Sequence, residues 1–223
     1  ELFGCDGAVA TVMGALGDVD AQLFLGRAGE DLLKGLGGAD VLDGGFGNDT
    51  LEGGDGDDRL DGGTESDVLR GGSGNDTFVQ SAGSDRFEGG DGNDAFNISV
   101  ALNNDAYEVD IDGGAGVDVV NYTIADKIDL TTLTNARISR VEIVDLGAGI
   151  QTLTLDNATI LNMAVAGNEA IDDSSAQVAY GAASGKTVLV VRSSATQSTD
   201  MLNLVGGRWV ITSDTVKLAG DAV

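Results

Sequence analysis

The chain has 223 residues, 37 acidic against 12 basic, and a net charge of −25; nucleic acid and anionic membranes are excluded as partners, since phosphate contacts need Lys and Arg, and hard cations are favoured. Histidine and proline are absent and cysteine occurs once, which removes His-ligated zinc, the HExxH metalloprotease motif, Ser-His and Cys-His nucleophile pairs and any intrachain disulfide. Asp outnumbers Glu by 29 to 8, and the shorter Asp stem keeps its carboxylate beside the turn that carries it, where a cation can sit.

In chain order, residues 1–25 read as an N-terminal cap. ATVMGAL and AQLFL are short apolar runs, suited to covering the unpaired strand edges of a solenoid end. Cys5 reads as a buried thiol, the commoner fate of a lone cysteine, or as half of an intermolecular bridge. No stretch has the character of a signal peptide or a transmembrane helix, so membrane insertion is not expected. The chain starts at Glu1 rather than Met, which reads as a processed product or a piece of something longer.

From residue 26 to 97 one nine-residue unit repeats eight times. The units begin GRAGED, GLGGAD, GGFGND, GGDGDD, GGTESD, GGSGND, QSAGSD and GGDGND. Aspartate holds the sixth place, at Asp31, Asp40, Asp49, Asp58, Asp67, Asp76, Asp85 and Asp94. An apolar residue holds the eighth, at Leu33, Leu42, Leu51, Leu60, Leu69, Phe78, Phe87 and Phe96. Twenty of the 35 glycines fall here, as turns that need positive φ and close backbone approach require. With so little side chain in the way, backbone carbonyls can turn inward beside the carboxylates. Calcium takes roughly six to eight such oxygens. A period of nine carrying Gly, Asp and one aliphatic is the pattern of a calcium-binding parallel β-roll. The candidate metal ligands are the eight aspartates, Asp118 further on, and the carbonyls of Gly45, Gly47, Gly54, Gly56, Gly72, Gly74, Gly90 and Gly92.

These units resemble the RTX (repeats-in-toxin) family of type I secreted proteins, best at 44–52, 53–61, 71–79 and 89–97. The resemblance implies a right-handed parallel β-roll in which two units make a coil and alternate units turn on opposite sides. Each ion then lies between one turn and the next on the same side, giving about six sites within the array. One side holds the turns at 35, 53, 71 and 89, three of which keep the full glycine pattern. The other holds 26, 44, 62 and 80, where only 44 does. Glu65 and Ser66 depart from the pattern at 62, and Gln80 and Ser81 replace the glycine pair at 80. The first side is expected to be fully loaded with calcium and the second weak or empty from about residue 62 onward. The array skips residues 98–112, which alternate like two strands around a turn at 103–105, and resumes with GGAGVDVVN from Gly113. If the skipped stretch is one enlarged coil, Asp118 shares a seventh ion with the turn at 89. The change from Leu to Phe in the last three units fits a core that widens toward that coil.

The roll is thus expected over 26–121. Eight apolar side chains cannot offset the ordering of 72 residues, so the array should fold only when calcium binds. From 122 to 223 Val, Ile, Leu and Thr dominate in the runs KIDLTTL, ARISRVEIVDL, QTLTL, TVLVV, MLNLVGGRWVI and TVKLA, which read as β-rich continuation of the solenoid. DNATILNMA reads as one short helix capped by Asp156 or Asn157. The segment from RVEIVDL to GGRW is similar to one near the C-termini of large RTX surface proteins and adhesins. GAASGKT (181–187) mimics a P-loop, but its glycines enclose three residues where the motif needs four. Asp57 and Asp58 suggest a glycosidase pair yet sit inside the metal-binding turns. No catalytic residue is expected. The reading is an all-β, extracellular, calcium-dependent structural module of a cell-surface adhesin, S-layer or filament, able to self-associate. The alternative is the folding and secretion module of a protease or lipase with its catalytic domain upstream.

Overall fold

The computed structural model describes residues 2–4, 11–13, 19–80, 82–99, 109–122, 127–129, 137–145, 152–156, 171–173, 178–180, 190–192 and 201–205. The strands of the array are β1 (Leu2–Gly4), β2 (Thr11–Met13), β3 (Leu23–Ala28), β4 (Leu32–Gly37), β5 (Val41–Phe46), β6 (Thr50–Asp55), β7 (Arg59–Thr64), β8 (Val68–Ser73), β9 (Thr77–Gln80), β10 (Arg86–Asp91) and β11 (Ala95–Ile98). After the break come β12 (Asp110–Ala115), β13 (Val119–Tyr122), β14 (Lys127–Asp129), β15 (Arg137–Ser139), β16 (Ile143–Asp145), β17 (Thr152–Asp156), β18 (Ile171–Asp173), β19 (Val178–Tyr180), β20 (Val190–Arg192) and β21 (Met201–Val205). The described residues contain strands and turns and no helix.

The chain deals its strands alternately to two sheets. β1, β3, β5, β7, β9, β11, β13, β16 and β20 form one, and β2, β4, β6, β8, β10, β12 and β15 form the other. Within both sheets the pairing is parallel, and through the array it matches each residue to the one 18 further on, as Leu42 to Leu60 or Leu51 to Leu69. This is the parallel β-roll read from the nine-residue period. β1 and β2 pair in the same sense with β3 and β4, so the segment read as a cap adds strands to both sheets.

Inward and outward residues alternate along each strand. In β6, Leu51 and Gly53 are buried while Thr50 and Glu52 are partly exposed. All eight apolar residues of the eighth place, Leu33 to Phe96, are at most 1% exposed and form one continuous core with Phe24, Ile98, Ile111, Val120 and Tyr122. Where Leu gives way to Phe the rings meet: Phe78 and Phe96 stack at 4.8 Å, and Phe87 stands edge-on at 5.9 Å from Phe78 and 6.2 Å from Phe96. On the outer face of the seven-stranded sheet the same register lines up Lys34, Glu52, Arg70 and Glu88 as alternating charges.

The register survives the break in the repeat. Phe87 pairs with Ile111 and Phe96 with Val120, so the skipped stretch is taken up as one enlarged connection. Gln80 to Arg86 spans six residues, whereas the matching step from Ile98 to Asp110 spans twelve. The β-rich reading of the second half holds for the described strands: β15 and β16 continue the two sheets, β14, β17 and β21 form a parallel three-stranded sheet, and β18 and β19 an antiparallel pair. Asp156 closes β17. Cys5, the turn at 103–105, the helix beyond Asp156, the P-loop-like stretch at 181–187 and the TVKLA run lie outside the described residues.

Candidate metal centre

The sixth-place aspartates stand at the turns between the two sheets, buried to within 3%. Each is held from both sides of its own peptide unit. Its Oδ1 accepts the backbone N–H of the equivalent residue one coil earlier: Asp31 to Asp49 at 2.7 Å, Asp40 to Asp58, Asp49 to Asp67 and Asp58 to Asp76 at 2.8 Å, and Asp67 to Asp85 at 3.1 Å. Gln22 starts the column by donating to Asp40 at 2.8 Å, and Asp76 to Asp94 and Asp94 to Asp118 continue it, both at 2.8 Å. The backbone carbonyl of each aspartate accepts in turn from the next coil, as Thr77 N–H to Asp58 at 2.8 Å. Asp118 therefore joins the column across the break, as its place in GGAGVD suggests.

The second oxygen is different. In Asp49, Asp58, Asp67, Asp76, Asp94 and Asp118, Oδ2 is buried and accepts no hydrogen bond. It points at the space above the first glycine of its own unit. A Cβ added at Gly53 would collide with Asp58 Oδ2 and lie 2.8 Å from the carbonyl oxygen of Gly71 on the next coil; one at Gly71 would collide with Asp76 Oδ2 and lie 2.7 Å from Gly89 O. The same pairing of a carboxylate oxygen and a next-coil carbonyl recurs above Gly26, Gly35, Gly44, Gly89 and Gly113. Seven turns thus share one cradle. Among the described residues no three acidic side chains converge, so the donor set is carboxylate plus main-chain carbonyl.

The second- and fourth-place glycines shape the turn. Gly45, Gly47, Gly54, Gly56, Gly72, Gly74, Gly90 and Gly92 all have φ between 101° and 136°, and a Cβ on any of them would run into a carbonyl oxygen of the preceding coil. Arg27, Leu36 and Glu65 occupy such places with φ of 74°, 76° and 75°, each bearing the Cβ strain of positive φ that glycine escapes.

The electrostatics are those of a charge taken out of water and set beside its own kind. Burial first, then neighbouring carboxylates, pushes Asp58, Asp67, Asp76 and Asp118 up to about 7, although a backbone N–H on each partly opposes the rise. Asp94 is pushed to about 6 by burial, and Asp49 is raised by burial and by Asp31. An ionised carboxylate in such a place demands a counter-charge. Hard oxygen donors converging on a small space suit calcium, which accepts carboxylate and carbonyl ligands in flexible geometry.

The two departures noted in the sequence differ in kind. At 62 the Asp67 carboxylate keeps its place, but the nearest atoms above Gly62 are all its own, with no next-coil carbonyl among them. At 80 the first-place residue is Gln80, fully buried, and its side chain hydrogen-bonds the Asp85 carboxylate.

Two further sets of residues act here without having been singled out from the sequence. The fifth-place side chains form an outer column: Asp57 Oδ1 accepts Asn75 N–H at 2.7 Å, Asn75 Oδ1 accepts Asn93 N–H at 2.9 Å, and Asn93 Oδ1 accepts Val117 N–H at 2.8 Å. The recurrence of Asn or Asp at 48, 57, 75 and 93 is its visible signal. Glu142 extends the inner column, accepting Asp118 N–H at 2.8 Å, while the Arg140 carbonyl takes the place above Gly113 that a glycine carbonyl holds elsewhere. That turn has only three residues from Arg140 to Glu142 in place of six from Gly113 to Asp118, so no repeat pattern marks it.

A family model for the RTX calcium-binding nonapeptide repeat matches the chain in four copies, over residues 16–51, 52–79 and 81–97. No curated protein and no solved structure matches it.

Proposed function

From the premise that the N-terminal part of this chain is an array of RTX calcium-binding nonapeptide repeats, we propose that its folding is driven by extracellular calcium held in the turn cradles. The ligands are the sixth-place aspartates other than Asp85, with Asp118, together with turn carbonyls, including those of the second- and fourth-place glycines. The observation that carries this is the set of buried Oδ2 atoms with no hydrogen-bond donor; those of Asp49, Asp58, Asp76, Asp94 and Asp118 each face a carbonyl of the next coil above a glycine. Bound calcium supplies the positive charge that lets these carboxylates stay ionised inside the protein. The turns at 35, 53, 71, 89 and 113 form the well-loaded edge; 26 and 44 are loaded on the other, 62 weakly and 80 not at all. This reading places seven ions in the cradles, with the turn at 62 as a weaker eighth site.

The whole is a structural module of a type I secreted, cell-surface or extracellular assembly protein such as an adhesin, S-layer or filament. Supporting this reading are the parallel sheets, which end in the strands β1 and β20 on one side and β2 and β15 on the other, and the β-rich second half. Circular dichroism and sedimentation with calcium titrated against EGTA test it. Calcium should raise β-structure cooperatively, and a calcium-driven increase in mass should accompany it if the module assembles. No gain of β-structure would sink the folding claim. A parent gene encoding HExxH or GxSxG ahead of Glu1 would make this the folding and secretion module of an enzyme.

A further inference from the structure

We infer that Gln80 is a built-in substitute for the cation: its carboxamide closes the last turn on the 26–44–62–80 edge and makes it a rung that needs no metal ion. The inference rests on the calcium reading of the other turns. Three features of this turn carry it.

The first is the coil beyond it. Every cradle along the array uses a carbonyl from the next turn on the same edge. β9 and β11 bring Gln80 beside Ile98, and from there the chain takes twelve residues instead of six to reach the opposite sheet. No Gly-and-Asp unit stands at that point of the sequence, so the repeat offers a cation at 80 no partner unit of the kind that completes the other cradles.

The second is which groups this turn brings together. Gln80 is fully buried and its side chain donates to the Asp85 carboxylate. Its backbone carbonyl, the oxygen that would face the turn at 62, accepts the Ser99 hydroxyl at 2.6 Å. Asp85 meanwhile keeps its rung, accepting Asp67 N–H through Oδ1 and Asp110 N–H through its carbonyl at 2.9 Å. A covalently attached amide is present at the same effective concentration whatever the medium holds, so this rung does not depend on free calcium.

The third is its setting. Of the interlocked rings, Phe78 and Phe87 belong to the strands that enter and leave this turn, and Phe96 to β11, paired beside β9. The coil around Gln80 therefore joins a metal-independent turn to the most aromatic part of the core. It is the segment that orders first as calcium rises.

Counting bound ions on the full chain by native mass spectrometry at saturating calcium tests this. Asp85→Asn should bind as many ions as wild type and Asp49→Asn at least one fewer. Loss of an ion in Asp85→Asn overturns the inference. Hydrogen exchange at sub-saturating calcium tests the amide itself: in wild type Asp67 N–H, bonded to Asp85, should be protected before Asp49 N–H, bonded to Asp67, and in Gln80→Ala that lead should vanish. The reverse order in wild type, or a lead kept in Gln80→Ala, refutes it. An unchanged count in Asp49→Asn would instead remove the calcium reading itself, and this inference with it.

Discussion

At the residue scale the turn is decided by where a Cβ cannot go. Gly56 has φ of 130°, and a Cβ there would collide with the carbonyl oxygen of Gly38 on the preceding coil. A left-handed residue costs about 1–2 kcal/mol when it is not glycine, and the collision adds to that. Gly56→Ala should therefore destabilise the calcium-saturated protein by more than about 2 kcal/mol, read as a lowered urea midpoint; an unchanged midpoint would show that the turn can relax. Glu65 shows the limit of tolerance. It holds φ of 75° at the surface while its carboxylate accepts Gly47 N–H at 2.9 Å, so part of the strain is offset by a hydrogen bond that glycine could not accept.

At the scale of the element, β4 to β10 each turn one large apolar side chain into the core, and three kinds of contact can be ranked. Leu60 is fully buried between Leu42 and Phe78 of the paired strands, and Leu60→Ala should cost about 2–5 kcal/mol. Phe78→Leu restores the residue that other units use but gives up two ring contacts, worth roughly 0.5–1.5 kcal/mol each. Arg70 bridges Glu88 at 2.9 Å and Glu52 at 3.8 Å with 44% of its side chain exposed, and Arg70→Ala should cost under about 1 kcal/mol. Urea titrations at saturating calcium should return that order; a larger loss at Arg70 than at Leu60 would mean that the outer charge column, not the core, holds the sheets. Much of this was legible beforehand. The period of nine gave the strands, the inward residue of each and the aspartate column, because strand alternation and turn chemistry are both local. What local pattern could not give was pairing across the irregular coil: Glu142 reaches Asp118 through a shortened turn with no repeat signature, and only the sheet register places it there. The Gln80 substitution was visible, but not that its amide would turn inward upon Asp85.

At the scale of the whole molecule, the stacked carboxyls make the fold an acid–base object when metal is withheld. The folded values of Asp58, Asp67, Asp76 and Asp118, at about 7, and of Asp85 and Asp94, at about 6, lie above the ordinary carboxylate value. Protons then bind the folded state more tightly than the unfolded chain, so the contribution to stability is full below about pH 4 and is lost as pH rises through about 6–7. In EGTA, β-structure should grow as pH is lowered from 8 to 5, as followed by circular dichroism; a flat signal would contradict the buried, undonated carboxyls. The two hydrogen-bond columns at each turn have another consequence. The sixth-place side chain accepts from the coil before, as Asp76 does from Asp58, and the fifth-place side chain from the coil after, as Asn75 does from Asn93. A rung that carries both groups is therefore tied in both directions, and excising or adding a whole coil of 18 residues between two such rungs rejoins both ties without leaving an orphan. The roll behaves as a ruler graduated in coils of about 4.8 Å, whose length can drift by duplication or loss while each graduation stays sound.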